Sequence, residues 1–406
     1  MRILVISNIY PPYYLGGYEL ACAEIVDALR RRGHQVMVMT GWRGLRRPQV
    51  QSGVARLLQV RFPFDPPYHN GATRLAWYLW NLLVLLTMVR RLKPDVVHVF
   101  NPAGLGPFTL NWLHSQPVPV VHEVGDEMLA EDSATDFWAG LRLYYNPRSL
   151  IKRIIKAALL KMVAPRLMSK PVDLGNSYFR SIYLKRRLAQ AGVKVGDSPI
   201  IYHGLLLADL VPRDDTGCSA GIVFSGRLTP DKGAHVLLEA LSRLKDSPVM
   251  KHQRITIIGP VAGQDYYQEL RELASSLEPH LSVHFAGKLS RPDAVQLMRE
   301  HSIFVFPVIG TEGFPIVVLE ALGSGLAVVA TAAGGSAELL EDGENCLVVP
   351  KNDPRALASA LERLVADESL RRRISCGGIE SAKHFDFEGA MNLIEEHLQR
   401  IGGLLT

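Results

Sequence analysis

The sequence of 406 residues has few cysteines and no pattern that would use them. Cys22, Cys218, Cys346 and Cys376 lie far apart, with neither a Cys-x-x-Cys spacing nor neighbouring histidines. A disulfide framework and a structural zinc site are therefore disfavoured, and we expect reduced, buried thiols in a cytoplasmic protein. The first apolar segment, residues 3–6, is too short for the core of a signal peptide.

Long apolar runs are also lacking. The longest, residues 75–89, contains Asn81 and Thr87 and is shorter than the roughly 20 residues that a transmembrane helix needs. We expect a helix packed on a sheet, with a membrane-touching helix as the alternative. No Asp-x-Asp motif is present, so a metal-bridged diphosphate has no obvious ligands. Helix-turn-helix, RNP and zinc-finger patterns are absent, which argues against nucleic acid as a partner.

The charge is divided unevenly. Residues 1–217 contain 27 Lys and Arg against 16 Asp and Glu, a net charge of +11, whereas residues 218–406 carry a net charge of −6. This difference predicts an anionic partner for the first half, such as a membrane surface or a phosphorylated acceptor.

A basic amphipathic pattern covers residues 149–168. One helical stripe is apolar and the opposite one is basic, which is typical of a helix on an anionic membrane surface. An ordinary surface helix packed on the core is an equal alternative. The apolar stripe consists of Ile151, Ile154, Ile155, Ala158 and Met162, and the basic one of Lys152, Arg153 and Lys156.

Strand and helix patterns alternate in both halves. In the first, strands are predicted at residues 2–7, 35–40, 95–99, 118–121 and 171–175, and helices at 18–32, 73–92 and from about 177. In the second, strands are predicted at 221–225, 254–258, 283–285, 303–306, 327–330 and 347–349, and helices at 234–244, 266–277, 291–300, 315–322 and 354–365.

This alternation predicts an α/β protein with two doubly wound, Rossmann-like parallel-sheet domains facing a cleft. Residues 1–204 would form the first domain, 205–220 a linker and 221–385 the second domain, with a last helix at 386–401 packing back on the first. Ligands would bind at the carboxyl ends of the strands.

Two features of the first half lie at such ends. Gly16 and Gly17 follow the first strand and open a helix, where a ligand can approach the backbone closely. They do not form a Gly-x-Gly-x-x-Gly fingerprint, so a dinucleotide site loses support, and a plain tight turn is the alternative. His122 ends the predicted strand 118–121, which would direct it to the cleft.

The second half opens with a glycine-rich loop that carries two cations, Arg227 and Lys232, between Gly226 and Gly233. Two cations beside a helix start suit a diphosphate. Either cation taken alone is equally well explained as a solvated surface charge.

Glu312 and Glu320 are the most informative pair. Pro315 is predicted as the first helical residue, which leaves N–H groups near Ile316 and Val317 free for an anion. Glu320 lies in an apolar helix, where a buried carboxylate needs hydrogen-bond donors such as a ribose diol. A sugar's hydroxyls would serve Glu312 similarly. A core carboxylate bonded to a backbone amide is the alternative for Glu320.

In this order, the motifs resemble those of retaining GT-B glycosyltransferases of family 4. The resemblance covers nearly the whole chain and is strongest over residues 221–350. The matching residues are Gly16-Gly17, His122, Gly226-Arg227, Lys232-Gly233, Glu312-Gly313-Phe314-Pro315-Ile316, Leu319-Glu320-Ala321, residues 328–331, Gly334-Gly335 and Glu338.

The resemblance implies roles in the donor site. Arg227 and Lys232 would hold the donor diphosphate, Glu320 the ribose and Glu312 the hydroxyls of the donor sugar. Lys288 would lie near the base. Gly226, Gly313, Phe314, Pro315 and Ile316 complete the expected donor-binding set.

For the first domain, the resemblance implies that the Gly16-Gly17 loop approaches the phosphate and that His122 borders the transferred sugar. It also implies a metal-independent transfer with retention from a UDP- or GDP-sugar, without a further cofactor. Together with the charge, it favours a lipid-linked or cell-envelope glycan acceptor. The alternatives are a soluble small-molecule acceptor, a nucleotide-sugar epimerase of related fold, and a non-catalytic module that binds glycan or membrane.

Three departures from the family pattern are visible. Glu123 follows His122 where aspartate is common, which leaves the partner of the histidine open. Pro315 replaces a glycine. Residues 125–146 match no family motif, and we expect this insertion, with Trp138, to shape the acceptor site. The insertion also contains Tyr144 and Tyr145.

Overall fold

The computed structural model describes residues 1–14, 16–42, 48–60, 71–102, 105, 107–127, 173–206, 221–251 and 253–403. The predicted basic helix at 149–168, residues 128–146 of the insertion and residues 207–220 of the linker lie outside this part. The chain divides into two compact units, one comprising Met1–Ile201 and Met391–Thr406, the other Tyr202–Ala390.

The first unit contains a seven-stranded sheet. Its strands are β1 (Arg2–Ile6), β2 (Gln35–Gly41), β3 (Gln49–Gln51), β4 (Val54–Leu58), β5 (Val96–Val99), β6 (Val120–Val124) and β7 (Tyr178–Phe179). They are ordered β3-β4-β2-β1-β5-β6-β7, and all neighbours are parallel except β3 and β4. The helices are α1 (Gly17–Arg31), α2 (Gly71–Leu92), α3 (Pro107–His114) and α4 (Ile182–Gln190).

The central strands are nearly continuous apolar runs because helices cover both faces of a parallel sheet. Four of the five residues of β1 are buried. Leu85 of α2 is fully buried in the same core as Leu4 and Ile6 of β1. Gly33, at a φ of +88°, follows the end of α1 and turns the chain back into β2.

Three predictions for this unit were wrong in detail. The predicted strand at 171–175 is not formed over its described part, where Asp173 makes an isolated bridge to Lys194 and a turn follows at Gly175, and the last strand lies instead at Tyr178–Phe179. The predicted helix near 177 begins at Ile182, because the Ser181 hydroxyl accepts a hydrogen bond from Leu184 N and caps it there. The prediction also missed β3, β4 and α3.

The second unit contains a six-stranded parallel sheet. Its strands are β8 (Ile222–Ser225), β9 (Ile255–Ile258), β10 (Val283–Gly287), β11 (Ile303–Phe306), β12 (Ala327–Ala330) and β13 (Cys346–Val348), ordered β10-β9-β8-β11-β12-β13. The helices are α5 (Ala234–Leu244), α6 (Gln264–Ser275), α7 (Arg291–Arg299), α8 (Ile316–Gly323), α9 (Pro354–Ala366), α10 (Glu368–Ala382) and α11 (Phe387–Ile401). The strand order reverses between β8 and β11, which places the loops after these strands at the switch point where ligands bind in such sheets.

The last helix, α11, supplies residues to the first unit from Met391 onward. Glu395 accepts hydrogen bonds from Arg32 and from the ring of His34, both at 2.8 Å. His397 Nε2 lies 2.8 Å from the carbonyl oxygen of Asn176. These contacts attach the end of the chain to α1 and to the segment before β7.

Cys22 and Cys346 are buried thiols, as expected, but Cys376 is exposed and contradicts that expectation; Cys218 lies outside the described residues. Cys376 lies on a solvent-facing side of α10, where burial does not reach it. No helix in the described ranges combines the length and apolarity that crossing a bilayer requires.

Candidate functional site

The loop after β8 is shaped by glycines. A Cβ on Gly259, the residue after β9, would lie 1.7 Å from the carbonyl oxygen of Gly226. Gly233 has a φ of +73°, and a Cβ there would lie 2.0 Å from the carbonyl oxygen of Pro307. Both positions therefore require glycine, and they let the loop that carries Arg227 and Lys232 pack directly on its neighbours.

Backbone hydrogen bonds join this loop to the next two. The carbonyl oxygen of Asp231 accepts hydrogen bonds from Ile309 N at 2.8 Å and Gly310 N at 3.0 Å, in the loop after β11. The carbonyl oxygen of Glu312 accepts a hydrogen bond from Gly335 N at 2.7 Å, in the loop after β12. Three loops at the carboxyl ends of neighbouring strands are thus held together by main-chain contacts.

Lys232 and Glu312 form an ion pair within these loops. The Nζ of Lys232 donates to Oε1 of Glu312, and only 17% and 15% of the two side chains are exposed. Arg227 is exposed, and among the described residues its guanidinium has no carboxylate partner. The structure therefore places both predicted cations on one loop and brings one of them to Glu312.

The helix after β11 begins one residue later than predicted. Pro315 has a ψ of +97°, so it is the extended N-cap residue and Ile316 is the first helical residue. The prediction of Pro315 at the first helical position was wrong because its fixed φ suits either position. The N–H groups of Ile316 and Val317 have no backbone acceptor in the described chain, as expected of a helix start.

Glu320 is paired with a guanidinium. Arg291, the first residue of α7, donates from Nε to Oε1 of Glu320, with 11% of the Glu320 side chain and 22% of the Arg291 side chain exposed. This partner was not predicted from the sequence. Lys288 is exposed on the loop between β10 and α7, just after Gly287, which has a φ of +71°.

Phe314 is 7% exposed and packs against aromatic rings. Its ring centroid lies 5.4 Å from that of Tyr202 and 5.8 Å from that of Phe385. Phe314 therefore anchors the loop before α8 to the interior of the second unit. Gly313, beside it, is partly exposed.

In the first unit, Gly16 is the N-cap residue of α1 and Gly17 begins the helix. The N–H of Gly16 donates to Oε2 of Glu19 at 2.9 Å. A Cβ on Gly16 would meet no atom within 4 Å, so the space beside it is open. The next residue, Tyr18, is held by its hydroxyl, which lies 2.6 Å from the carbonyl oxygen of Phe100.

His122 is not at the end of its strand, which corrects the prediction. It is the central residue of β6, because Glu123 and Val124 continue the strand by pairing with Tyr178 and Phe179 of β7. Only 1% of His122 is exposed. Its Nε2 lies 2.9 Å from Nε2 of His114, and the two rings are stacked with an angle of 3° between their planes.

The partner of His122 is therefore His114 of α3. Burial lowers the pKa of His122 well below its usual value, and the neighbouring His114 and His98 lower it further. A neutral pair can share one hydrogen between the two Nε2 atoms, one ring donating and the other accepting. The sequence did not predict this pair because α3 was missed.

The sequence and the fold are similar to those of known glycosyltransferases. The chain is 32% identical over 378 residues to the phosphatidyl-myo-inositol mannosyltransferase of Mycolicibacterium smegmatis, an alignment covering 92% of this chain and 87% of that protein. The family Glycosyltransferase Family 4 matches residues 15–165, and Glycosyl transferases group 1 matches residues 219–367. The chain belongs to the group 1, family 4 glycosyltransferases.

Other relatives of this glycosyltransferase match over a shorter length. The D-inositol 3-phosphate glycosyltransferase of a Nocardioides species is 31% identical over 180 residues, 42% of this chain, and the alignment spans 39% of that relative. Among solved structures, sucrose-phosphate synthase from Thermosynechococcus elongatus has a TM-score of 0.73 at 19% identity, covering 98% of both chains. The Anabaena protein HepE in complex with UDP-glucose has a TM-score of 0.68 at 20% identity, covering 98% of this chain and 100% of HepE. The fold of the glycosyltransferase is GT-B, as expected from the sequence.

A buried ion pair lies behind the first-unit loops of this glycosyltransferase, and sequence reasoning missed it. Glu123 of β6, whose side chain is 0% exposed, pairs with the guanidinium of Arg180, which is 4% exposed. The Tyr178 hydroxyl lies 3.1 Å from Oε2 of Glu123, and His98 Nε2 lies 3.0 Å from the same hydroxyl. The Tyr18 hydroxyl lies 2.5 Å from the main-chain carbonyl oxygen of Glu123.

This cluster explains the glutamate that departs from the family pattern. Successive side chains of a strand point to opposite faces, so Glu123 cannot face His114 as His122 does. Burial raises the pKa of the Glu123 carboxyl, and the Arg180 charge and the Tyr178 hydroxyl oppose that shift. The only signal in the sequence was a glutamate close behind the apolar run of the predicted strand 118–121.

Groups of three or more His, Cys, Asp or Glu side chains arranged for a metal ion do not occur within the described ranges of the glycosyltransferase. The anionic groups of the second-unit site are instead each matched by a cation, Glu312 by Lys232 and Glu320 by Arg291.

Proposed function

We propose that the protein transfers a sugar from a nucleoside diphosphate sugar to an acceptor hydroxyl, with retention of anomeric configuration and without an essential metal. The observation that carries the proposal is the Lys232–Glu312 pair on the loops after β8 and β11, together with N–H groups at the start of α8 that have no backbone acceptor among the described residues. A cation, a carboxylate and a helix start at one switch point suit a ligand that is both phosphorylated and rich in hydroxyls.

The donor would bind by exchange of partners. Lys232 would leave Glu312 for the diphosphate, and the released carboxylate would accept hydrogen bonds from hydroxyls of the sugar. Arg227, which has no carboxylate partner among the described residues, would add a second charge to the diphosphate. Glu320 would accept the ribose hydroxyls, and Lys288 would lie toward the base.

In the transfer step, the bond between the anomeric carbon and the diphosphate oxygen breaks, and its electron pair leaves with the diphosphate. The acceptor oxygen forms the new bond on the same face, and its proton passes to the departing diphosphate. Arg227 and Lys232 would stabilise the charge that develops on the leaving group, which is the role a metal ion takes in other transferases. The absence of an Asp-x-Asp motif from the sequence supports this assignment.

In the first unit, the Gly16–Gly17 turn would approach the phosphate, where its open space admits a ligand. The Nε2 of His122 could contact the transferred sugar only by giving up its hydrogen bond with His114, whereas the buried Nδ1 of the same ring has no hydrogen-bond partner among the described residues. We therefore assign His122 to the border of the sugar site, with Nδ1 as the ring atom that needs no exchange of partners.

For the acceptor, we propose a lipid-linked or cell-envelope glycan intermediate. The relative that is named a phosphatidyl-myo-inositol mannosyltransferase and the +11 charge of residues 1–217 support an anionic, lipid-borne acceptor. A soluble phosphorylated acceptor is the second candidate, supported by the relative named a D-inositol 3-phosphate glycosyltransferase. Adhesion of residues 149–168 to anionic membrane stays a prediction from the sequence.

Calorimetric titration with UDP, GDP and ADP, each with and without Mg²⁺, tests the donor site. We expect one nucleotide to bind equally well in both conditions. Removing a charge-assisted hydrogen-bond partner costs about 1.5–3 kcal/mol, so Glu320→Ala should bind it about 10–100-fold more weakly. The matched control is Glu300→Ala, whose carboxylate pairs with Arg254 on the exposed surface of the same unit and should leave binding unchanged.

Product analysis tests the reaction itself. Nucleotide release that depends on an acceptor identifies a transferase, interconversion of free nucleotide sugars an epimerase, and NMR of the product gives the anomeric configuration. Binding of no nucleotide by the wild-type chain would overturn the donor-site assignment and favour the non-catalytic alternative. Binding that requires Mg²⁺ would contradict the role given to Arg227 and Lys232.

A further inference from the structure

Helix α2 has an exposed apolar face. Leu79, Trp80 and Leu83 are 57%, 42% and 58% exposed, although the opposite side of the same helix, including Leu85 at 0%, packs in the core of the first unit. Residues four apart lie on one side of a helix, so Leu79 and Leu83 form a stripe with Trp80 beside them. The interior side of α2 packs in the core, whereas Leu79 and Leu83 stay more than half exposed.

The uncharged polar groups on this side of α2 already have hydrogen-bond partners within the protein. Trp80 Nε1 donates to the carbonyl oxygen of Leu57 at 2.8 Å, and Thr87 Oγ1 donates to the carbonyl oxygen of Leu83 at 2.8 Å. A buried polar group is costly only when it lacks a hydrogen bond. This face can therefore enter an apolar medium without leaving the indole N–H or the hydroxyl unsatisfied.

The charges at the end of α2 are all of one sign. Residues 71–92 contain no Asp or Glu, and the last turn carries Arg90 and Arg91, both exposed. Arg90 lies seven residues after Leu83 and therefore on the same side of the helix. Within the part of the chain that the structure describes, neither arginine pairs with a carboxylate, so both are available to anionic groups.

We propose that this face of α2 (Leu79, Trp80, Leu83, Thr87, Arg90 and Arg91) inserts shallowly into the surface of an anionic lipid bilayer. Trp side chains favour the boundary between hydrocarbon and headgroups, and Arg side chains extend toward anionic headgroups. Binding of this kind depends on both apolar area and charge.

A protein partner suits the face less well. Three side chains of this size present on the order of 300 Å² of apolar surface, whereas a stable protein interface buries about 800 Å² on each partner. A bilayer needs no complementary shape, and the face meets its two requirements with Leu79, Trp80 and Leu83 for the hydrocarbon and the two arginines for the headgroups. The proposal does not depend on the transfer reaction, since it concerns binding to lipid alone.

Sedimentation with vesicles tests the proposal. Vesicles of phosphatidylcholine and phosphatidylglycerol in equal parts are compared with vesicles of phosphatidylcholine alone, at low and at physiological salt. We expect the full chain to sediment with the anionic vesicles, and Leu79→Glu/Leu83→Glu to partition about tenfold less or weaker still, because two apolar anchors are replaced by repelled charges.

The matched control is Ile182→Glu/Leu393→Glu. It changes the net charge equally at two other exposed apolar residues of the same unit, 40% and 53% exposed, and should sediment as the wild type does. Circular dichroism and calorimetric nucleotide titration of each variant verify folding without lipid.

Equal sedimentation of Leu79→Glu/Leu83→Glu and wild type would overturn the proposal, as would equal losses in both double variants, which would indicate a charge effect unrelated to α2. Failure of the wild type to sediment with anionic vesicles would overturn it as well. A wild-type dimer that Leu79→Glu/Leu83→Glu dissociates, without any vesicle binding, would identify the face as an interface between two copies of the chain.

Discussion

Replacing Glu123 by glutamine should destabilise the first unit strongly. The substitution keeps the volume of the side chain and an oxygen for the Tyr178 hydroxyl, but it removes the negative charge opposite Arg180. Because that guanidinium is 4% exposed, water cannot take over the role of the lost carboxylate.

The magnitude follows from the burial of the pair. An Arg–carboxylate contact of about 2.8 Å at an effective dielectric constant of about 20 corresponds to about 6 kcal/mol of attraction. Relaxation and water penetration recover part of it, and breaking a buried pair at one partner costs about 3–5 kcal/mol of the free energy of unfolding. Removing both charges, in Glu123→Gln/Arg180→Met, should cost much less than the single change, since no unpaired charge is then buried.

Glu127 provides a matched control four residues along the chain. Its carboxylate pairs with Arg187, but 19% of Glu127 and 41% of Arg187 are exposed. A partly exposed pair contributes about 1 kcal/mol or less, so Glu127→Gln should be nearly neutral. The assay is equilibrium urea unfolding followed by circular dichroism, fitted with an intermediate because the chain has two compact units.

Two results would refute the reasoning. A loss of less than about 1 kcal/mol for Glu123→Gln would mean that water reaches Arg180 and that the pair is not buried in solution. A double variant as unstable as the sum of its two single variants would mean that the ion pair does not couple the two residues.

Gly233→Ala should cost more than about 2 kcal/mol of the free energy of unfolding, because the residue has a positive φ and an added Cβ would meet a carbonyl oxygen. Gly263→Ala, where an added Cβ meets open space, should cost about 0.5 kcal/mol. Equal costs for the two substitutions would contradict the argument. Burial, with lesser contributions from nearby charges, lowers the pKa of His98 to about 3, so native stability should fall as the pH drops from about 6.5 toward 3, by about 2 kcal/mol at pH 5. His98→Gln should remove this contribution to the pH dependence of the free energy of unfolding, measured by urea titration at several pH values. A pH dependence equal to that of the wild type would exclude the role given to His98. His114→Ala should cost about 1–3 kcal/mol of the free energy of unfolding, because it leaves His122 Nε2 without a partner. His114→Gln should lose less, so its unfolding midpoint in urea should lie above that of His114→Ala.

The strands of the second unit were predictable because their apolar runs are short and continuous and alternate with helix patterns. β11 and β12 have the predicted bounds, and so does α5. A strand buried on both faces requires such a run, which makes the local signal strong. The short strand at Tyr178–Phe179 has no such signal, because it is defined by its pairing with β6.

Partners of charged residues could not be predicted in this way. Lys232 and Glu312 are 80 residues apart in the sequence, and Arg291 and Glu320 are 29 apart. Periodicity describes one element at a time, whereas these pairs depend on which loops the sheet brings together. The placement of Arg227, Lys232 and Glu312 on loops after strands was thus predictable from the sequence, and the pairing of their charges was not.

The contacts among the loops after β8, β11 and β12 have a consequence for how the ligand preference of the proposed donor site can change. Asp231 holds two main-chain groups of the next loop, and Glu312 in turn holds one of the loop beyond it. A backbone shift in the loop after β11 would strain both of the others, so the proposed donor site could not readily accommodate a different nucleotide sugar by moving that loop. Relatives with the same loop contacts would then differ in ligand preference through substitutions of the side chains on these loops. The backbone of the loops would stay in the same place.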